Sequence, residues 1–480
     1  MDLLLESAAE QAALDYLSRM IRRSRWKGKV YLAGGAVRDE LVGLPLKDID
    51  LVVDMPNGGI EFAKWLTKKL GIYSSSNPVV YPKFGTAKFN LRGVKHKGVD
   101  LSKVDIEVVM PRTEKYTAGS RKPDVSAGTL AQDAERRDFT VNSLMKDLST
   151  GEIKDLTGMG KRDIEKGVVR TALDPDVIFK EDPLRMLRAV RFAIKYNWTL
   201  PLFMIRSLKK NASMLKNISS ERIRDELDKM LVTASPDKAV RLLQITGLSK
   251  YIFPELDLLV GLKQNKYHIW DANQHTMQVL KNTPADLITR LGALFHDIGK
   301  AETKEVIDST VHFYNHENVG AEIARDIMKR LKYPNKIIDA VTKIVGSHMR
   351  IKQAGKEGEV ISDKKLRKLS ADMDDHLENL LDVIHADNIC HAPEHNMEKQ
   401  IPAIRRRLKN LKDAPTTSKR PPIPIDGRDV MKVTGISPGP LVKVLLDVVI
   451  DKWYEDPDIT KREALALVEK TFKEMAGTCR

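Results

Sequence analysis

The sequence predicts an α+β chain: a small mixed-sheet head followed by mostly α-helical domains. Three observations carry this. Between Lys29 and about Val109, short β-type runs alternate with one helical segment, Gly59 to Leu70, the pattern of a small mixed α/β domain. From about Asp133 onward the spacing turns helical, and Leu184, Leu187, Val190, Arg191 and Ile194 keep a 3.6-residue period. The chain has 480 residues, enough for about three or four cores.

In order, residues 1–27 form an amphipathic helix closing on Arg22, Arg23 and Arg25. The head spans 28–150, and a helical neck spans 151–262 with a helix from Glu221 to Leu231 behind the N-cap Ser219. A unit over 263–400 holds ten of the eleven histidines. In the helical tail, 401–480, a polar, Pro-rich linker (Ala414 to Pro424) separates a last helical unit ending near Met475. Within it, Ser437-Pro438-Gly439-Pro440 reads as a turn entering an amphipathic helix.

Composition narrows the function. A net charge of +14 and a pI near 9.4 favour a polyanionic partner such as nucleic acid. Two cysteines, Cys390 and Cys479, exclude a disulfide framework and a cysteine zinc site, and fit a reducing cytoplasm. The opening MDLLLESAAE lacks the basic n-region of a signal peptide. Apolar runs such as Val442 to Ile450 are too short to span a bilayer, so no membrane partner is expected.

The chemistry concentrates in Gly34 to Asp50, GGAVRDELVGLPLKDID. Two glycines let backbone close on a phosphate, and Arg38 follows them. Asp48 and Asp50 share a face of an extended strand, where they suit hard divalent cations. A third carboxylate would come from VDIEVVMPR, where Asp105 and Glu107 share a strand face. Next come a loop, Arg112 to Val125, and the segments AERRDFTVNSL and EDPLRMLRAVRF. In the last, Arg185, Arg188 and Arg191 recur every three residues, with Asp182 three before Arg185. On a helix these stack along one side. Such a row repels itself unless it meets an anionic ligand or acidic partners.

Together these segments resemble the class II tRNA nucleotidyltransferases (CCA-adding enzymes) and bacterial poly(A) polymerases, whose head is polymerase-β-like. The resemblance runs from about residue 28 to 470. It implies two-metal nucleotidyl transfer with two Mg²⁺ on Asp48, Asp50 and Glu107, the last chosen because Glu107 to Arg112 matches the family's EVTTFR-like segment; Asp105 stands in reserve. It implies that Gly35 and Arg38 hold a triphosphate and that Arg137 touches the nucleotide. Asp182 would accept from the exocyclic amine of cytosine or adenine while Arg185 donates, imitating a Watson–Crick edge; Arg188 and Arg191 would help hold base or triphosphate. The partners implied are CTP, ATP and the 3′ acceptor end of tRNA. The basic runs Ser207 to Asn217 and Arg405 to Asp413 suit phosphate tracking. A poly(A) polymerase, a CC-only or A-only enzyme, and a phosphohydrolase with an RNA-binding head stay open.

FHDIGK sets His296 and Asp297 side by side on a helix, about 100° apart, within reach of one cation. The order H…HD…D resembles the HD superfamily of metal-dependent phosphohydrolases and implies His275, His296, Asp297 and Asp387 as ligands. His316 and His348 are further candidates for a second metal. Mixed His/Asp ligation suits a divalent transition metal or Mg²⁺. Whether this unit is an accessory hydrolase or structural body stays open. One departure stands out: LRGVKHKGVDLSKV, before Asp105, is longer than a tight hairpin.

Overall fold

The β-rich run before the glycines forms an inner strand of a seven-stranded sheet. The computed structural model describes residues 2–74, 77–115, 124–352, 354–411 and 422–477. In chain order the head comprises α1 (Asp2–Arg22), β1 (Val30–Ala33), α2 (Gly35–Leu41), β2 (Ile49–Val53), α3 (Gly58–Lys69), β3 (Val79–Tyr81) and β4 (Thr86–Asn90). It continues with β5 (Lys95–His96), β6 (Val99–Asp100), β7 (Asp105–Val109), β8 (Arg112–Lys115), β9 (Asp124–Ala127), α4 (Leu130–Glu135), β10 (Met145–Asp147) and β11 (Ile153–Lys154). The main sheet runs β11-β10-β1-β2-β7-β4-β3. Strands β2 and β7 are parallel and the other pairings antiparallel, so the sheet is mixed as expected.

Period-2 alternation sorts the two faces. Val30, Leu32, Leu51, Val53, Ile106 and Val108 enter one core with Leu17 and Ile21 of α1 and Phe62 and Leu66 of α3. Burying each such side chain contributes about 1.5–3 kcal/mol. Tyr31, Ala33 and Val52 turn to the opposite face and pack with Ala134 and Met145. Asp50 shares that face with Val52, two residues on. The long interval before Asp105 folds into the β5–β6 hairpin, where His96 Nε2 lies 3.0 Å from Asp15 Oδ2 of α1. The extra length therefore leaves the register of β7 intact.

The neck carries α5 (Gly160–Lys166), α6 (Pro175–Glu181), α7 (Leu184–Lys195), α8 (Leu202–Asn211), α9 (Ser220–Leu231) and α10 (Pro236–Ile245). The helix expected through Glu181 to Phe192 is interrupted. Asp182 is extended (φ −142°, ψ 100°) and α7 begins after Pro183. A residue before proline is pushed out of the helical region, which accounts for the break.

Contacts gather the chain into two compact units, 1–226 with 242–251, and 227–241 with 252–480. The second contains α11 (Pro254–Asp257), α12 (Ala272–Lys281), α13 (Leu287–Phe295), the hairpin β12 (Lys304–Ile307) and β13 (Thr310–Phe313), α14 (His316–Arg330) and α15 (Asn335–Ser347). It ends with α16 (Asp363–Met373), α17 (Leu377–Ile389), α18 (Gln400–Asn410), α19 (Gly427–Thr434), α20 (Pro440–Glu455) and α21 (Lys461–Gly477). Val430, Leu445, Val449, Trp453 and Val468 give the last three helices their own core. Pro440 opens α20 as the turn signal predicted.

His296 and Asp297 differ from expectation. His296 caps α13 and Asp297 precedes the short turn Ile298–Ala301, so the pair sits at a helix end. Asp297 takes φ −105° and ψ 8°, outside the α region. Residues 116–123 of the loop Arg112 to Val125, most of the linker Ala414 to Pro424, and Cys479 lie outside the described residues. Among the described residues no helix is long and apolar enough to cross a membrane.

Candidate nucleotide and metal sites

The parallel pairing of β2 with β7 sets Asp50 directly opposite Glu107. Asp48 lies two residues before Asp50, immediately ahead of β2, and is exposed. Asp50 keeps solvent-exposed surface, yet the protein around it desolvates the carboxyl and pushes it up to about 6. Glu107 and then Asp48 add like-charge repulsion, and Arg137 opposes it. Asp105 is drawn away by an ion pair with Lys88 at 2.8 Å, which leaves Glu107 as the carboxylate facing Asp50. Mutually repelling carboxyl oxygens on one face fit a hard divalent cation. Their ligand atoms are not drawn into a group within 4.8 Å of one another, unlike two groups in the second unit.

Arg137 ties these acids to the glycines and to the arginine helix. Its Nε and Nη2 donate to Asp133 Oδ2 at 3.2 and 3.0 Å, and Nη1 reaches the Asn142 carbonyl at 3.4 Å. Gly34, at φ +70°, passes so near that a Cβ there would lie 2.9 Å from Arg137 Nη1. Gly35 opens α2 beside Arg38. Arg38 is buried, and its donors are committed to Asp39 Oδ1 and Asn142 Oδ1. Its guanidinium also lies 4.9 Å from the Phe192 ring centroid and 4.7 Å from that of Tyr196. Asn142 Nδ2 donates to Asp138 Oδ1 at 2.7 Å, and Asp138 Oδ2 accepts from Arg188.

Acidic partners relieve the arginine row. Arg185 is buried, donating to Glu181 Oε2 at 2.8 Å and to the Arg136 carbonyl at 2.9 Å. Arg188 pairs with Asp138, and Arg191 with buried Glu226 at 2.6 Å. Asp182 does not meet the Arg185 side chain: Oδ1 accepts the Leu184 amide and Oδ2 accepts Arg222 at 2.8 Å. The network adds Asp133, Asp138, Asn142, Arg222 and Glu226 to the residues foreseen as a site. Asp138 and Asn142 stood inside a recognised motif; Glu226 carried no local signal beyond its helix. Two arginines of the basic run on α18 are committed as well, Arg405 to Glu378 and Asp382, Arg407 to Asp363.

The second unit brings together every metal ligand expected of it. His275, His296 and Asp387 form one buried group with ligand atoms within 4.8 Å, and Asp297, His316 and His348 form another. His275 Nε2 lies 3.0 Å from Asp387 Oδ1 and 3.8 Å from Asp297 Oδ2; His296 Nε2 lies 3.2 Å from Asp297 Oδ2. The Nδ1 atoms of His296, His316 and His348 meet the carbonyls of Ala293, Phe313 and Val345 at 2.7–2.8 Å. A carbonyl only accepts, so each Nδ1 carries the proton and Nε2 is left as the ligand atom. Burial holds His275, His316 and His348 below the usual imidazole range, His348 at about 3. Burial works against the charged Asp297 and Asp387, but His296 and Lys300, and Lys352 and His275, hold them well below the carboxylate range. His296 is the exception: burial opposes its charge, but the Asp297 carboxylate beside it outweighs burial and raises this imidazole, so a divalent cation bound here would have to displace that proton, while the carboxylates are already ionised.

Comparison with known proteins follows the same division. Residues 30–170 match the model of the poly A polymerase head domain, 204–259 that described as "Probable RNA and SrmB- binding site of polymerase A", and 267–401 the HD domain. The chain is 31% identical over 338 residues to the Multifunctional CCA protein of Neisseria gonorrhoeae, covering 68% of this chain and 75% of that one. It is 28% identical over 475 residues to tRNA nucleotidyltransferase cca2 of Schizosaccharomyces pombe, covering 92% of each. The fold matches the Bacillus stearothermophilus CCA-adding enzyme in complex with CTP, with TM-score 0.66, 23% identity and coverage of 98% and 99%. It also matches the Thermotoga maritima CCA-adding enzyme complexed with tRNA, with TM-score 0.57, 20% identity and coverage of 92% and 91%.

Proposed function

Because the chain belongs to the CCA tRNA nucleotidyltransferase family, we propose that it adds or repairs the 3′-terminal CCA of tRNA from CTP and ATP without a nucleic-acid template. One observation carries the reading furthest: Asp50 stands opposite Glu107, and Arg137 beside them leads through Asn142 to Asp138 and Arg188. Acids suited to cations and arginines suited to a nucleotide thus belong to one connected site.

Two Mg²⁺ on Asp48, Asp50 and Glu107 would neutralise the leaving pyrophosphate and lower the pKa of the attacking 3′-hydroxyl. The protein's part is positioning. Arg137 Nη1, the least committed donor of its guanidinium, faces the triphosphate beside the backbone of Gly34 and Gly35. Arg38 acts from behind, holding α2 against Phe192 and Tyr196. Asp182 offers an acceptor to the exocyclic amine that cytosine and adenine share, while uracil and guanine present a carbonyl there. Arg185 anchors the start of α7, and Arg188 and Arg191 seat the base edge from that helix. The surplus of positive charge favours the tRNA acceptor end.

The test is direct. Incubate the protein with tRNA lacking its 3′ end, with CTP and ATP singly and together, and sequence the products. Both nucleotides together should yield the complete CCA end, and Asp50→Asn should abolish extension. Untemplated A tracts would instead favour a poly(A) polymerase. Extension that survives Asp50→Asn unchanged would sink the transferase assignment.

A further inference from the structure

The row that holds Asp50 and Glu107 continues to the edge of the sheet. Asp50 of β2 stands opposite Glu107 of β7, Glu107 opposite Lys88 of β4, and Lys88 opposite Val79 of β3. Directly opposed residues share a face, as do residues two apart, so Tyr81 lies on this face beside Val79. The other face is the core side, where Ala87 and Phe89 are buried and Val80 packs against them. Lys88, Val79 and Tyr81 are all exposed, and β3 is an outermost strand of the sheet. An edge strand that shows a valine and a tyrosine to water is a liability unless something covers it.

The order of the strands indicates what covers it. Gly34 follows β1, and a Cβ on it would lie against Arg137; β1 flanks β2 on the side away from β7. In phosphoryl transfer the attacking and leaving oxygens stand roughly in line. A pyrophosphate that leaves toward β1 therefore requires the attacking strand to come in over β7, β4 and β3. From Glu107 to β3 is two strand spacings, about 10 Å, a reach suited to the sugar and base of one nucleotide. Tyr81 presents its ring there, and every base has a face that stacks on an aromatic ring. Lys88 is held across the same face by Asp105 at 2.8 Å, which engages one of the three donors of an ammonium and leaves the others for a phosphate.

We propose that Tyr81 is the platform on which the last base of the tRNA acceptor strand stacks, and that Lys88 holds the phosphate on the 5′ side of that nucleotide. The inference rests on the transfer reading of the head and adds to it the seat of the attacking nucleotide.

Initial rates are measured with tRNA lacking its 3′ end and with the same tRNA whose last nucleotide has no base. Tyr81→Ala should lower kcat/KM for the intact tRNA about tenfold and leave the KM for CTP unchanged. Tyr81→Thr, ringless but β-branched, should match it and guards against loss of the edge strand; Tyr81→Phe keeps the ring and should retain wild-type rates. On the abasic tRNA, wild type should fall to the level of Tyr81→Ala, and that variant should lose nothing further. Lys88→Gln should lower kcat/KM for both tRNAs alike and reduce its salt dependence by about one ion. Wild-type rates in the ringless variants, an equal loss in Tyr81→Phe, or a further loss by Tyr81→Ala on the abasic tRNA would overturn the platform and leave the transfer reading standing. Unchanged salt dependence in Lys88→Gln would remove the phosphate contact. A wild type that extends no tRNA would bring down both readings.

Discussion

Arg188 places two donors on one oxygen of Asp138, Nε at 2.8 Å and Nη2 at 2.6 Å, and Asn142 fills the other oxygen. Burial opposes the Asp138 charge, but Arg188 and Asn142 outweigh it and hold the carboxyl below its usual range. Asp138→Ala therefore removes the closest partner of Arg188 and leaves it the longer 3.9 Å contact with Glu226; it should cost about 3 kcal/mol in denaturant melts, the low end for a broken ion pair because Arg188 is one-third exposed. A depressed folded pKa contributes stability above the unfolded value of about 3.9 and loses it as pH falls through the folded value. The gap between wild type and variant should thus hold from pH 5 to 8 and close below about 4. A gap that widens on acidification would contradict the pairing.

Asp50 behaves in the opposite sense. Its folded pKa of about 6 is raised by desolvation, Glu107 and Asp48. Its stabilising share is complete below the unfolded value of about 3.9 and is lost as pH rises through about 6. In EDTA, wild type should lose stability relative to Asp50→Asn between about pH 4 and 6.5, and hold level above that. Exposure screens the effect to about 1 kcal/mol or less. Adding Mg²⁺ at pH 7.5 should restore wild type and leave the variant unmoved. Paired melts read both effects, and a Mg²⁺ shift of equal size in the variant would remove Asp50 from the metal site.

Much of this was legible in the chain, for reasons visible residue by residue. Strand period placed Asp50 and Glu107 on exposed faces, because alternation depends on neighbours two positions away. What alternation does not carry is pairing: nothing in VDIEVVMPR says that β7 lies parallel to β2, with Glu107 opposite Asp50. Nor did it reveal that Lys88 withdraws Asp105, since that contact crosses a strand. Arginine spacing showed that the row needs anions. It did not reveal that Glu226, 35 residues beyond Arg191, supplies one of them. The break before Pro183 was readable from the proline itself and was overridden by the helical period of its neighbours. At His296 the local pattern named the candidate ligands, while the helix end on which they sit depends on packing of Gly299 against His316 and Gly320.

Arg38→Lys tests whether Arg38 acts as a plate or merely as a charge. Lysine keeps the charge but cannot span Asp39 and Asn142 while lying against both Phe192 and Tyr196. The substitution should cost about 2 kcal/mol, from one charged hydrogen bond and the lost ring contact. Chemical denaturation measures it. Stability equal to wild type would mean that charge alone suffices, returning Arg38 to a direct phosphate role.

Gly34→Ala separates backbone strain from interference with Arg137. Gly34 sits at φ +70° and ψ −135°, outside the left-handed helical region, where a non-glycine residue costs roughly 1–3 kcal/mol. Gly28 is also at positive φ, +74°, but has nothing within 4 Å of an added Cβ. Both alanine variants should lose stability in thermal melts, Gly34→Ala at least as much as Gly28→Ala. They should part company in catalysis, because only at Gly34 does the new methyl press on Arg137 Nη1, 2.9 Å away. Moving that guanidinium should lower kcat/KM for CTP and ATP at least about tenfold, a loss of about 1.4 kcal/mol in transition-state binding. Gly28→Ala should leave kcat/KM unchanged. Equal activity losses in the two variants would mean that strain alone is responsible and that Arg137 does not face the nucleotide.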